Sequence, residues 1–310
     1  MREATRAAGR HAPQAPTRTH VPDGRVGRPR RTRGYPVGVP APAPHSAPSP
    51  SSYFVPSGPG RFRATAATGG GWNPDEQHVS PLNGLLVAEI ERFVAGRGEP
   101  DGLAIARISF DILGPVAIDE VTVDVDVTRP GRAIELVEAR AAWNGRPVLR
   151  ASAWRVARTD ATAVAGGDPD PMPGPDGLDA APLSDVWPGG YIASLECRVP
   201  EPTRPGRGRM WVRTPLDLVA GRETSPLAGY VGLVDTANGV APLQSPRAWA
   251  YPNVDLTIHL FRAPVGRWVG LDTTVSWGPD GQGLTAAVLH DERGPVGRSA
   301  QILLVRPLGG

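Results

Sequence analysis

Apolar residues recur along residues 80–96 with the spacing of an α-helix. They fall three or four positions apart and cover much of the helix surface: Leu82, Leu85, Leu86, Val87, Ile90, Phe93 and Val94. Ser80 followed by Pro81 is typical of a helix start with serine as the N-cap, and Gly96 is typical of a helix end. A helix that is apolar on so many sides needs neighbours on those sides, so we expect a sheet to wrap around it.

Strand patterns lie on both sides of this helix. We expect structure to begin near Tyr53, with a short strand at about residues 61–68. Four more strands are predicted after the helix, at about residues 103–113, 120–128, 133–143 and 147–156. In the strand at 120–128, valine alternates with threonine and aspartate, which is the period of a strand with one buried face. Asn144-Gly145 predicts a hairpin turn between the last two strands.

The same succession of elements returns in the second half. A helix is predicted from Pro226 to about Ala237. Strands are predicted at about residues 192–199, 208–214, 254–261, 267–277, 283–291 and 296–305. Residues 159–185 are rich in alanine, glycine, proline and aspartate without periodicity, so we assign residues 159–190 to a linker.

Short sequences repeat between the halves as well. Three segments of the first half return in the same order, 145 to 149 residues later: 80–84 as 225–229, 114–116 as 263–265, and 146–152 as 294–300. Matches in one order at nearly one spacing predict two copies of one fold. We therefore expect an N-terminal repeat at residues 53–158 and a C-terminal repeat at residues 191–310.

The two copies differ in a way that indicates where the chemistry lies. The second copy is polar where the first is small or apolar at three aligned positions: Asp235 against Ile90, Gln301 against Ala153, and Asn253 against Ala104 or Ile105. Asp235 shares one helix face with Leu227 and Val231. Because a buried carboxylate is costly unless it is paired or useful, we expect the second copy to carry the site and the first to serve as scaffold.

Composition excludes several kinds of chemistry. All 33 basic residues are arginine, so a P-loop lysine and a Schiff-base lysine are absent. The single cysteine, Cys197, allows no internal disulfide, fits a reducing compartment, and is interpreted as a small strand residue.

The first 52 residues differ from the rest of the chain. Nine arginines lie between Arg2 and Arg33, among many prolines and without a large apolar run, so we expect a disordered tail. No aromatic residue interleaves these arginines before Tyr35, and we expect no nucleic-acid partner. No apolar stretch reaches the length of a signal peptide or a membrane span, which favours a cytoplasmic protein.

The chain resembles the thioesterase-like double hotdog family, which includes bacterial acyl-CoA thioesterases of the second type. The resemblance covers about residues 53–307 and rests on an aspartate late in the second helix, in Gly232-Leu233-Val234-Asp235, and on a glutamine in the last strand, in Arg298-Ser299-Ala300-Gln301. Asn253 stands at a third family position, which usually carries threonine. The resemblance implies an α+β double hotdog, in which each repeat is a long helix wrapped by a curved antiparallel sheet.

The resemblance also implies a reaction. Asp235, Asn253 and Gln301 would hold a water molecule that attacks the thioester carbonyl of an acyl-CoA, with the carboxylate as general base and without a cofactor. An acyl tunnel would form where the sheets and helices of the two copies meet. A homo-oligomer such as a dimer is compatible with this interpretation.

Several alternatives stay open at this point. Asp235 could form an ion pair with Arg262, and Asn253 could belong to a strand-entry turn. The asparagine at a position that usually carries threonine also suits a non-catalytic protein that binds acyl-CoA or lipid.

Other candidate residues receive plainer interpretations. His78 is interpreted as a loop histidine, and His259 and His290 lack a second ligand at metal-binding spacing, so no metal site is expected. Trp249 and Trp268 are candidates for the lining of an acyl pocket.

Overall fold

The computed structural model describes residues 50–98 and 102–308. Within these residues the chain forms four α-helices: α1 Val79–Ala95, α2 Gly190–Ala193, α3 Pro226–Val234 and α4 Ala237–Val240. It also forms sixteen strands: β1 Ser52–Gly58, β2 Arg61–Ala64, β3 Leu103–Ile112, β4 Glu120–Arg129, β5 Ile134–Trp143, β6 Arg146–Ala157, β7 Asp179–Ala180, β8 Glu196–Val199, β9 Arg207–Arg213, β10 Asp217–Val219, β11 Trp249–Ala250, β12 Asp255–Leu260, β13 Val269–Trp277, β14 Gln282–Asp291, β15 Gly294–Leu304 and β16 Arg306–Pro307.

Fourteen of these strands form one sheet. Its order is β10-β1-β2-β4-β5-β6-β3-β12-β15-β14-β13-β9-β8-β7, and β11 pairs separately with β16. The two halves of the chain join where β3 runs antiparallel to β12, with Ile108 opposite Ile258 and Phe110 opposite Leu256. All four of these side chains are fully buried. The halves therefore share one continuous sheet and one apolar core.

Helices α1 and α3 cross at two glycines. A Cβ atom on Gly84 would lie 3.0 Å from the Cα atom of Gly232 and 2.9 Å from the carbonyl oxygen of Ala228, so the backbones touch without intervening side chains. Ser225 at the start of α3 donates a hydrogen bond to Glu91 near the end of α1. The helices therefore run antiparallel, and the end of α3 lies beside the start of α1.

The helix boundaries differ from the prediction at two places. Helix α1 begins at Val79 and its N-cap is His78, whose side chain accepts a hydrogen bond from the amide of Ser80, so the predicted Ser80 cap is wrong. The Ser80 hydroxyl instead accepts a hydrogen bond from Tyr191, at 3.0 Å. Helix α3 stops at Val234 with Asp235 as its C-cap, before the predicted end at Ala237, and spans nine residues against seventeen in α1.

Most predicted strands agree with the structure to within a few residues. The hairpin between β5 and β6 turns at Asn144 and Gly145, both with positive φ, as the asparagine-glycine pair predicts. Strand β1 has no sequence signal that we recognised, and the predicted strand at 61–68 is β2 followed by a 3-10 turn. The predicted strand at 192–199 begins instead with the short helix α2.

Residues 1–49 of the predicted tail lie outside the described residues. The linker segment contains two 3-10 turns, Thr162–Val164 and Leu183–Asp185, and the edge strand β7. Cys197 lies on β8 and is buried, as expected for a small strand residue. None of the helices in the described ranges is long and apolar enough to cross a membrane.

Candidate active site

Asp235 is held at the end of α3 by the way this helix starts and stops. The hydroxyl of Ser225 accepts a hydrogen bond from the amide of Ala228 at 3.0 Å, and Pro226 occupies the first turn, which together fix the helix start. Apolar residues fill the next positions and pack into the core. The helix ends at Asp235, a residue that is only 3% exposed. A carboxylate is therefore fixed inside the protein at one end of a rigid element.

The structure brings the three predicted site residues together. The side-chain amide of Asn253 donates a hydrogen bond to Oδ1 of Asp235 at 2.7 Å. The side-chain amide of Gln301 donates to the same oxygen, also at 2.7 Å. Oδ2 of Asp235 receives no hydrogen bond from any described residue. One carboxylate oxygen is thus fixed by two amide donors, and the other is left to a ligand.

The strands explain how Gln301 and Asn253 reach this carboxylate. Along β15 the inward-facing residues Ser299, Gln301 and Leu303 alternate with exposed ones, and Gln301 lies opposite Thr285 of β14. Asn253 lies just before β12 and forms a β-bridge with Leu303. Its amide also donates to the carbonyl of Asp255 at 3.0 Å, which fixes its orientation.

Burial raises the pKa of Asp235 to about 6, and the hydrogen bonds from Asn253 and Gln301 oppose this rise. The carboxylate is therefore mostly ionised at neutral pH, yet basic enough to take a proton. The alternative partner Arg262 is not near it: Arg262 forms an ion pair with Asp291 at 2.6 Å. The interpretation of Asp235 as the partner of Arg262 is wrong.

The structure adds His78 to the candidate site, whereas the sequence analysis interpreted it as a loop histidine. Its Nδ1 atom lies 3.7 Å from Oδ2 of Asp235. Burial lowers the pKa of His78 to about 3, so the ring is neutral at pH 7 and this contact is no ion pair. Nδ1 accepts a hydrogen bond from the amide of Ser80, at 3.2 Å, which leaves the proton on Nε2. The signal in the sequence was the position of His78 directly before the helix.

A buried tyrosine supports this histidine. The Tyr191 ring packs against the His78 ring with the centroids 4.2 Å apart. Its hydroxyl forms hydrogen bonds with Ser80 at 3.0 Å and with Thr236 at 2.7 Å. Tyr191 therefore links the first turn of α1 to the residue that follows Asp235, and fixes the position of His78 relative to the carboxylate.

Asp235, His78 and Asn253 line a cavity of about 450 Å³. Both halves of the chain contribute to it, with apolar residues such as Ile112, Pro115 and Val148 from the first half and Ala250, Pro252 and Val254 from the second. Its volume lies within the range of roughly 300–1,000 Å³ that is usual for ligand pockets. An apolar group with one reactive polar end would suit this lining.

The aromatic residues of this cavity are not those that were predicted. Trp72 and Trp187 line it, and their rings pack edge to face at 5.0 Å. Trp249 packs against Trp277 instead, at 6.2 Å. Trp268 belongs to a separate buried cluster with Met172 and Trp211. Neither Trp249 nor Trp268 lines this cavity, so the prediction of both as pocket residues is wrong.

Two family models match most of the described chain. Residues 68–156 match the acyl-CoA thioesterase N-terminal domain, and residues 166–305 match the acyl-CoA thioesterase C-terminal domain. The chain therefore belongs to the acyl-CoA thioesterase family, as the resemblance predicted, and is a thioester hydrolase. No curated protein matches its sequence significantly.

Solved structures show the same fold at low sequence identity. A candidate thioesterase from Novosphingobium aromaticivorans is 19% identical, with a TM-score of 0.63, 82% of this chain and 98% of that chain covered. A hot dog fold protein of unknown function from Alicyclobacillus acidocaldarius is 14% identical, with a TM-score of 0.61 and coverages of 83% and 96%. The acyl-CoA thioesterase II TesB2 of Mycobacterium marinum is 16% identical, with a TM-score of 0.55 and coverages of 81% and 93%. The fold is thus an α+β hotdog fold.

Proposed function

We propose that the chain hydrolyses acyl-CoA thioesters with Asp235 as general base and with Asn253 and Gln301 as the residues that orient it. The observation that supports this proposal is that the two oxygens of the Asp235 carboxylate have different surroundings. Oδ1 accepts two amide hydrogen bonds, while Oδ2 has none from the described residues and belongs to a residue that lines the cavity. Oδ2 is therefore the atom that takes a proton from the attacking water.

The proposed reaction needs no covalent intermediate with the protein. Water adds to the thioester carbonyl carbon while its proton passes to Oδ2 of Asp235. The tetrahedral intermediate collapses with cleavage of the carbon–sulfur bond, and the protonated carboxyl returns its proton to the thiolate. The products are a carboxylic acid and free coenzyme A. A pKa of about 6 suits both steps, since Asp235 must accept and then release a proton near neutral pH.

We assign the oxyanion contact to His78. Its neutral ring carries the proton on Nε2, and no described residue accepts a hydrogen bond from that atom. Because His78 lines the cavity beside Asp235, this donor is available to the negative charge that develops on the carbonyl oxygen. A neutral donor also avoids an ion pair with Asp235, which would depress the basicity of the carboxylate.

The contacts of Asn253 favour hydrolysis over non-catalytic binding of acyl-CoA or lipid. Asparagine in place of the usual threonine suggested a protein that binds acyl-CoA without catalysis. The side-chain amide of Asn253, however, donates a 2.7 Å hydrogen bond to Asp235. A hydroxyl would have the same donor function. Asn253 donates to both Asp235 and the backbone of Asp255. These two hydrogen bonds support the proposal that Asn253 orients the carboxylate.

We also propose that the hotdog fold is double, as two copies related by 148 residues. Val137 pairs with Ala153 in the first half, and Thr285 pairs with Gln301 in the second, which is the same pairing 148 residues later. The crossing glycines, Gly84 and Gly232, have the same separation. This register aligns Asn253 with Ile105 and Asp235 with Val87 instead of Ile90. Val87 is also apolar and fully buried, so in this register too a buried carboxylate in the second copy stands against an apolar residue in the first.

Release of free coenzyme A tests the proposal directly. The protein is incubated with saturated acyl-CoA substrates of increasing chain length, and released thiol is measured with a chromogenic reagent. We expect turnover with at least one chain length and a carboxylic acid product with one oxygen from labelled water. Tight binding of acyl-CoA without thiol release would favour the alternative of a non-catalytic binding protein.

A further inference from the structure

A second cavity lies at the opposite end of the crossed helices. It has a volume of about 670 Å³ and is lined mainly by small and apolar residues, among them Ile90 and Val94 of α1, Leu227 of α3, and Ala104, Ile105 and Leu260 of the paired strands β3 and β12. None of these residues lines the candidate active site. This volume is also within the usual range for ligand pockets, roughly 300–1,000 Å³.

The second cavity is the counterpart of the first under the proposed repeat. Eleven residues that line the first cavity have a partner 148 positions away that lines the second, and five of these pairs are Val79 with Leu227, Ile112 with Leu260, Pro252 with Ala104, Asn253 with Ile105, and Arg306 with Arg158. Four of these five pairs keep an apolar or a basic residue in both copies. The cavity has thus kept its shape-forming residues while its copy of the site has changed.

The catalytic groups have no equivalent in the second cavity. The repeat places Val87, Ile105 and Ala153 where the active site has Asp235, Asn253 and Gln301. Glu91 does line this cavity, but it corresponds to Gly239 and accepts a hydrogen bond from the Ser225 hydroxyl. Among residues 50–98 and 102–308, no side-chain amide donates to Glu91 as Asn253 and Gln301 donate to Asp235. A ligand in this cavity would be bound without being hydrolysed.

The charged residues around the second cavity indicate where the charged end of a ligand would bind. Arg155 is committed to an ion pair with Glu135. Arg158 is exposed at the rim, and its side chain forms no hydrogen bond or ion pair with any described residue. A guanidinium that has no partner among the described residues, beside an apolar cavity, suits a ligand with an apolar chain and an anionic head. The carboxylate of Glu91 disfavours an anion near it, so the head belongs at Arg158 and the chain inside.

We propose that this second cavity binds an acyl chain with an anionic head group, held at Arg158, and does not turn it over. A free fatty acid and the phosphates of an acyl-CoA both have this chemistry. The inference uses the repeat but not the catalytic assignment of Asp235. It remains testable if Asp235 proves not to be the base.

Two matched tryptophan substitutions separate the cavities. Val79→Trp fills the first cavity and Leu227→Trp fills the second, each from a half-buried position in the first turn of its helix. Calorimetric titration of Val79→Trp with dodecanoate should still give one bound ligand per chain. Adding Leu227→Trp to it should abolish that binding, and adding Arg158→Ala should weaken it on the order of tenfold or more. A parallel titration with S-dodecyl-CoA, a thioether that cannot be hydrolysed, distinguishes the two sources of the head group.

Turnover gives the complementary result. Leu227→Trp alone should hydrolyse acyl-CoA at a rate within about twofold of the parent. Should Val79→Trp fail to fold, Arg158→Glu in the parent protein should remove one of two dodecanoate sites and leave turnover intact. Absence of dodecanoate and dodecyl-CoA binding in folded Val79→Trp, or binding that persists unchanged with Leu227→Trp added, would overturn the proposal.

Discussion

The side-chain amide of Gln301 lies 2.7 Å from the Oδ1 atom of Asp235, although 66 residues separate the two in the chain. Asn253 donates to the same oxygen from a third element. The carboxylate is therefore fixed from two sides, and each donor favours its ionised form. Removal of either donor should therefore change the pKa of Asp235.

Gln301→Ala should lower turnover and move its pH dependence upward. Removing one donor raises the pKa of Asp235 further, because that hydrogen bond opposes the effect of burial. We expect a loss of roughly tenfold in kcat at pH 7 and an acid limb above pH 6, measured as kcat against pH. Ser299→Ala, an inward-facing change two residues away, is the control and should leave the profile in place. An unshifted profile for Gln301→Ala would mean that Gln301 does not act on Asp235.

The ionisation of Asp235 should also appear in stability. Its pKa is raised on folding from near 4 to about 6, so the folded protein holds this proton more tightly than the unfolded chain does. The contribution of this group to stability is then greatest below about pH 4 and is lost as the pH rises through 6. Asp235→Asn removes the buried charge, so at pH 8 the variant should be more stable, by about 3 kcal/mol at most. Urea unfolding at pH 4 and pH 8 measures the difference, and a variant that is less stable than the parent at pH 8 would contradict it.

Two substitutions at Asn253 should have opposite outcomes. Asn253→Thr keeps a hydroxyl donor and should retain activity to within about tenfold. Asn253→Asp puts a second carboxylate beside Asp235, and two adjacent carboxylates cannot both ionise easily, so the pH profile should move above 7. The kcat profiles of both variants between pH 5 and 9 test this. Equal loss of activity in both, without a shift, would show that Asn253 has only a structural role.

The helix crossing predicts unequal effects for two similar substitutions. A Cβ atom on Gly84 would lie 2.9 Å from a carbonyl oxygen of α3, whereas a Cβ atom on Gly232 would have its nearest neighbour at an ordinary 3.5 Å. Gly84→Ala should therefore destabilise the protein by about 1–3 kcal/mol, and Gly232→Ala by less, since alanine also favours the helix. Thermal melting of the two variants compares them directly. If Gly232→Ala were the more damaging change, the description of this crossing would be wrong.

The sequence predicted which polar residues come together better than it predicted the lining of the pocket. Asp235, Asn253 and Gln301 stand out because the other half of the chain has apolar or small residues in their place, and such a comparison needs no coordinates. His78 was missed because its role depends on the end of α3, which lies beside the start of α1 only after the helices cross. The pocket tryptophans were missed because Trp72 and Trp187 lie in loops, where the sequence has no periodicity that indicates which side chains face a cavity. Strand β1 was missed because its seven residues include Pro56, Ser57 and Gly58, which are typical of a loop.

The central claim is that the Asp235 carboxylate takes the proton from water, and Asp235→Asn tests it most directly. The measurement is kcat for the best acyl-CoA substrate at pH 8, where the parent carboxylate is ionised, with S-dodecyl-CoA binding measured on the same samples. We predict a loss on the order of 100-fold or more in kcat, with binding within a fewfold of the parent, because only the general base is removed. A variant that binds normally and turns over within tenfold of the parent would contradict the assignment of Asp235 as the base.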